Sequence, residues 1–146
     1  MRTIGHIQKE VRRIGKLLCG ENIPTYLFSV AGSPTHSGAP HVELVGDEYH
    51  YVITERGSEY DRRKTKDIDE LLYWFVSDDV SQLARDWELE RRVENQDSRR
   101  LWFKKELELL EKVKPDWAVK KESHQLEVLS EHPFNDSYYQ YRRERV

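Results

Sequence analysis

The chain has 146 residues, enough for one domain with a substantial core and too few for two ordinary ones. Charged residues make up 35% of it and the mean hydropathy is −0.87, yet large apolar residues recur periodically along its length, which excludes a disordered chain. A net charge of −3 and a pI near 6.1 exclude a general pull towards nucleic acid or anionic membranes. The single cysteine, Cys19, excludes an internal disulfide, no apolar run approaches the roughly 18 residues of a membrane span, and MRTIGHIQKEVRR lacks an apolar signal core, so the expected location is cytoplasmic.

Thr3 is placed to cap a first helix whose apolar positions are Ile4, Ile7, Val11, Ile14 and Leu18, and Gly20 is placed to stop it. Gly5 and Gly15 weaken that helix by about 1 kcal/mol each, so it must dock onto something. Residues 25–31, TYLFSVA, are β-prone and predict a strand, followed by a Gly/Ser/Pro loop over 32–40. HVELV and EYHYVIT then flank Gly46-Asp47 as two strands around a two-residue turn. That register pairs Val45 with Glu48, Glu43 with His50 and His41 with Val52. One face carries Val42, Leu44, Tyr49, Tyr51 and Ile53, and the other carries His41, Glu43, Glu48 and His50 with Val45 and Val52. After Gly57, SEYDRRK predicts a further short strand.

The stretch around which the chain is organised is residues 67–92. Apolar residues at Ile68, Leu71, Leu72, Phe75, Val76, Val80, Leu83, Ala84 and Trp87 form one helical stripe. Asp67, Asp69 and Glu70 suit the positive end of its dipole. Between 67 and 90 there are eight carboxylates against one cation, Arg85, a formal −7. The helix is expected to end around 93–95. Asp97 or Ser98 can cap a helix holding Leu101, Trp102, Leu107, Leu109, Leu110 and Val113, with Arg99 and Arg100 free to neutralise acids on the preceding helix. Pro115 suits the first turn of a last helix containing Trp117, Ala118, Leu126 and Leu129, which His132-Pro133 stops. The expected fold class is α+β: a short N-terminal helix, an antiparallel β-meander, then three α-helices including the long acidic amphipathic one. Residues 1–133 are expected to form a single domain, and 134–146 a C-terminal tail ordered only in part.

Charge is unevenly divided: +2 over residues 1–66, −5 over 67–113 and zero over 114–146. A charge-steered partner should therefore be basic and approach the central helix. Tyr73 and Trp74 lie beside its apolar stripe, where aromatic residues next to acids resemble interface anchors, with plain burial as the alternative. His41, Glu43 and His50 offer donors of a kind zinc or iron accepts, but no motif-level spacing supports a metal site, and an ordinary solvated face with a Glu–His cross-strand pair is the expected reading. The runs 62–66 and 138–145 are basic, the second interleaved with tyrosines, which is the pattern of a nucleic-acid contact on a small scale. No nucleophile elbow, phosphate-cradling glycine loop or His-Glu-x-x-His occurs, so no catalytic residue and no cofactor is predicted.

The order and spacing of Asp69-Glu70-Leu71-Leu72-Tyr73-Trp74, Gln96-Asp97-Ser98-Arg99-Arg100 and Glu106-Leu107-Glu108-Leu109-Leu110 with Trp117 resemble the immunity protein 63 family. So do the short first helix, the Gly-Ser-Pro loop, Tyr49-His50-Tyr51 and Glu55-Arg56-Gly57. The resemblance covers about Ile4 to Pro133. It implies a non-enzymatic bacterial immunity protein that binds and neutralises a cognate toxin in the cytoplasm. A basic toxin of the nuclease type would match the acidic helix, with Asp69, Glu70, Tyr73, Trp74, Asp78, Asp79 and Asp86 as the residues expected to meet it. A nucleic-acid-binding regulator resting on the two basic runs, and less so a small metal-dependent enzyme resting on His41, Glu43 and His50, are the competing classes.

Overall fold

The computed structural model describes residues 1–137; the basic run at 138–145 lies outside them. The elements are α1 (Ile4–Cys19), β1 (Ser37–Val45), β2 (Glu48–Glu55), β3 (Ser58–Thr65), α2 (Ile68–Glu90), α3 (Arg99–Val113) and α4 (Pro115–Glu131). This is the α+β arrangement the sequence predicts. The chain divides into two compact units, Met1–Asp79 and Val80–Val146, with α2 contributing its first half to one and its second half to the other.

In the first unit, the Thr3 side chain accepts from the His6 N–H at 3.1 Å and opens α1, and Gly20, at φ 64°, closes it. Ile7, Val11 and Ile14 are buried, as their spacing requires. Gly15 has a specific reason to lack a side chain. A Cβ there would sit 2.7 Å from Cβ and Cγ of Phe28, which lies across the helix. Gly15→Ala is therefore expected to destabilise the protein by about 1–2 kcal/mol despite its better helix propensity, because the overpacking outweighs the gain. At Gly5, which is exposed and has its nearest neighbour at 3.9 Å, the same change should instead stabilise by up to about 1 kcal/mol. Urea denaturation of the two variants checks both signs.

The three strands form an antiparallel meander in the order β1-β2-β3. Val45↔Glu48, Glu43↔His50 and His41↔Val52 pair as the two-residue turn at Gly46-Asp47 dictates. The second turn has positive φ at both Arg56 (52°) and Gly57 (82°), the twist a tight hairpin needs. Residues 25–31 are not a strand. They form a turn-rich segment that touches the sheet through one parallel bridge, Ala31 to His41. Phe28, with φ 55°, breaks the extended course there, and Asp79 on α2 accepts its N–H at 2.9 Å. A long-range side-chain acceptor has overridden the local β-propensity of TYLFSVA.

In the second unit α3 and α4 pack as a helical hairpin beside residues 80–90 of α2, around Val80, Ala84, Phe103, Leu109, Leu110, Trp117 and Ala118. The helix α2 ends at Glu90, about a turn before the expected position. Asp97, not Ser98, supplies the capping acceptor of α3, taking the Arg99 N–H at 3.0 Å. Burial works against its charge, but the hydrogen-bonded Arg99 guanidinium and the N–H groups of Arg99 and Asn135 hold its carboxyl below the usual range. Arg99 and Arg100 reach beyond the preceding helix. They secure the end of α4: Arg99 donates to the carbonyls of His132 and Pro133, Arg100 pairs with Asp136 at 3.0 Å, and both lie over the Phe134 ring.

Candidate recognition site

Side chains alternate across a strand, so the run Arg62-Arg63-Lys64 is split between two faces of the sheet. Arg63 stands opposite Tyr51 on β2, its guanidinium 5.1 Å from the Tyr51 ring centroid and 5.8 Å from that of Trp74 on α2. Tyr51 is itself fully buried, edge-on to Trp74 at 5.9 Å and tilted against Phe75 at 4.9 Å. Its hydroxyl donates to Asp78, one helical turn beyond Trp74. Burial, together with the charge and hydrogen bond of Asp78, raises the Tyr51 hydroxyl well above the ordinary phenol range. A half-buried tryptophan, an exposed arginine and an exposed carboxylate thus share one surface over a rigid aromatic base. Trp, Tyr and Arg are the residue types that dominate the energetics of protein interfaces.

The residues expected from the sequence fall at different places. Glu70, Trp74 and Asp78 lie at successive i, i+4 positions along α2, so they form one row. Thr65 donates to Glu70 at 3.3 Å, tying the start of that row to the end of β3. Asp69 is half-buried, and Tyr73 is buried at 8% exposure, so Tyr73 belongs to the core side of the helix. Asp79 turns away to the Phe28 loop. Asp86 is exposed, takes a 2.9 Å hydrogen bond from Gln82, and lies in the second unit. Glu88 is buried and gripped by Arg92 through bonds of 2.8 and 3.2 Å. The formal −7 of the helix is therefore divided between structural and exposed positions. In the sequence Arg63 stands only within the basic run 62–66 and Tyr51 only on the apolar face of the hairpin; it is the pairing of β2 with β3 that sets them opposite each other.

Asp79 carries a measurable signature. Burial pushes its carboxyl up to about 6, against the Phe28 N–H, with the Asp78 charge adding to the rise. A carboxyl raised on folding contributes stability below about pH 4, and that contribution disappears as pH climbs through about 6. Asp79→Asn keeps an acceptor for Phe28 without a charge. It is expected to gain about 1–2 kcal/mol at about pH 7.5 and to flatten the stability profile between about pH 4 and 6, as urea titrations across that range will read.

On the opposite sheet face His41 and His50 are buried, not solvated. Arg62 organises them. Its guanidinium donates to His50 Nδ1 at 2.7 Å and reaches Glu43 at 3.3 Å and Glu59 at 2.7 Å, while His41 Nε2 donates to Glu43 at 2.7 Å. The His41 hydrogen bond, reinforced by Arg62 and opposed by burial, lowers the Glu43 carboxyl. The guanidinium of Arg62, from β3, thus sits between His50 and Glu43, and among the described residues no group of three or more His, Cys, Asp or Glu that could hold a metal ion is found. Two further cations of the basic run have local partners, Arg63 3.3 Å from Asp61 and Lys66 3.0 Å from Asp47, while Lys64 is exposed. No helix of the described residues is long and apolar enough to cross a membrane.

The family model described as Immunity protein 63 matches residues 46–127, from the first hairpin turn through most of α4. This chain belongs to the immunity protein 63 family. No match was found among curated proteins or among solved structures.

Proposed function

We propose that this chain is a non-enzymatic immunity protein that binds and neutralises a cognate bacterial toxin domain in the cytoplasm. The observation that carries the reading is the family match over residues 46–127. The surface built from Glu70, Trp74 and Asp78 of α2 and Arg63 of β3 is our interface, with Tyr51 holding its aromatic part in place and Asp69 and Asp79 at its margins. Tyr73 acts from the core side by fixing the helix. The acidic excess of α2 favours a basic partner such as a nuclease-type toxin, and exposed Asp86 adds to the field that would steer it.

Co-expression tests the reading. The C-terminal domain encoded by the adjacent upstream reading frame is induced in a susceptible bacterium with and without this chain, and the two are co-purified. Rescue together with a stoichiometric complex is the expected result. A neighbour that is harmless, or toxic but neither bound nor neutralised, removes the proposal.

A further inference from the structure

The helix α4 carries its polarity the wrong way round for a core helix. Lys121 and Gln125 are buried with Trp117 and Ala118, whereas Val119 and Leu126 stand in solvent at 69% and 61% exposure. Inside, Lys121 lies 3.5 Å from Glu106 of α3, which is 2% exposed. Glu106 also accepts from the Ser81 hydroxyl of α2 and, at 3.0 Å, from the Gln125 amide, which donates in addition to the Phe103 carbonyl at 2.8 Å. Apolar residues of similar volume would hold three helices together at least as well, because desolvating an ammonium and a carboxylate offsets their attraction. Packing alone does not account for this choice of side chains.

Beside the network lies a partly enclosed cavity of about 210 Å³. Trp102, Phe103 and Val128 supply its apolar lining, and Ser81, Glu106, Lys121 and Gln125 its polar lining; Arg99, whose guanidinium is held by Asp97 and by the carbonyls of His132 and Pro133, and exposed His124 complete its wall. Six of the nine lining residues are polar or charged but most of the wall area is apolar, and an apolar wall with convergent polar groups is the usual composition of a small-molecule site. The size limits the ligand: an apolar cavity of about 150 Å³ accepts benzene, so this one has room for a single ring and one small substituent. The charge limits it further. Both Glu106 oxygens are engaged, whereas an ammonium has three donors and Lys121 spends part of that capacity on Glu106.

We propose that this cavity is a binding site for a small carboxylic acid with a flat apolar body, its carboxylate on Lys121 and its ring against Trp102 and Phe103. The site shares no residue with the proposed toxin-binding surface and does not depend on the immunity reading.

The probe is sodium benzoate, with benzamide as its neutral isostere, titrated into the whole chain and followed by amide and indole NMR signals and by thermal unfolding. Benzoate should give saturable shifts at the Trp102 indole and at the amides around Lys121 and Gln125, and should raise the melting temperature by mass action. Benzamide should bind at least about tenfold more weakly, since it lacks the charge. The paired replacement Glu106→Leu/Lys121→Met should abolish that preference. Absence of saturable shifts with benzoate, shifts located elsewhere, or equal binding of the two probes overturns the proposal. So does a folded double variant that still prefers benzoate. Should the double variant not fold, the comparison of benzoate with benzamide on the native chain decides the matter alone.

Discussion

Glu106→Ala is expected to destabilise the second unit by about 3–5 kcal/mol, the largest effect of any single change considered. Three partners converge on that carboxylate: the Ser81 hydroxyl, the Gln125 amide and the Lys121 ammonium. Truncation leaves a nine-tenths-buried ammonium without its counter-charge and leaves one of the two acceptors of the Gln125 amide unfilled. The loss is much greater than the worth of the intact pair, because the pair itself roughly breaks even against the cost of desolvation. Glu106→Leu/Lys121→Met should accordingly recover most of the deficit and come within about 1 kcal/mol of the native chain. Hydrogen exchange at the α3 and α4 amides resolves the effect where a single melting curve would merge two compact units. A cost of less than about 1 kcal/mol for Glu106→Ala would mean that the network is open to water.

Under the proposed function, Trp74→Ala is expected to weaken toxin binding by about 2–3 kcal/mol, roughly 30- to 150-fold in Kd, mostly through faster dissociation. Trp74 is half-buried, edge-on to the fixed Tyr51 ring and next to the Arg63 guanidinium, so the free protein already holds it near its bound orientation. Asp86→Lys should act differently. That carboxylate is exposed and bonded to Gln82, so its reversal should leave the fold intact, lower the association rate and reduce its salt sensitivity while changing dissociation little. Asp78 and Asp79 are poorer probes of steering, because each holds a partner inside the protein, the Tyr51 hydroxyl and the Phe28 N–H. Surface plasmon resonance at two salt concentrations separates the two kinds of residue. Wild-type kinetics in the Trp74 variant, verified as folded by circular dichroism, would place the interface elsewhere.

Much of the architecture was legible without coordinates because it is dictated locally. Thr3 and Gly20 bound α1, Gly46-Asp47 fixes the hairpin register, and the three- and four-residue spacing of apolar side chains makes α2 a helix. The family, too, could be read from the order of short segments along the chain, and the match over residues 46–127 agrees with it. What the sequence could not convey is where each polar residue of a helix or strand comes to rest. Eight carboxylates between 67 and 90 look like one acidic surface, yet Glu88 is buried under Arg92 and Asp79 anchors a loop fifty-one positions earlier in the chain. Three consecutive basic residues at 62–64 look like one patch, yet Arg62 serves the buried histidines while Arg63 lies on the aromatic pair. Residues 25–31 have the composition of a strand but follow Asp79 and Gly15.

Local composition determines which backbone a segment adopts, because caps, turns and hydrophobic period act within a few residues. Partners of buried charges are chosen across tens of residues, through contacts that exist only after the elements have packed. The sequence by itself therefore determined the helices, the meander and the family of this protein. The tertiary structure alone decided that Tyr51 and Arg63 join Trp74, that Arg62 closes the histidine face, and that α4 turns its lysine inward.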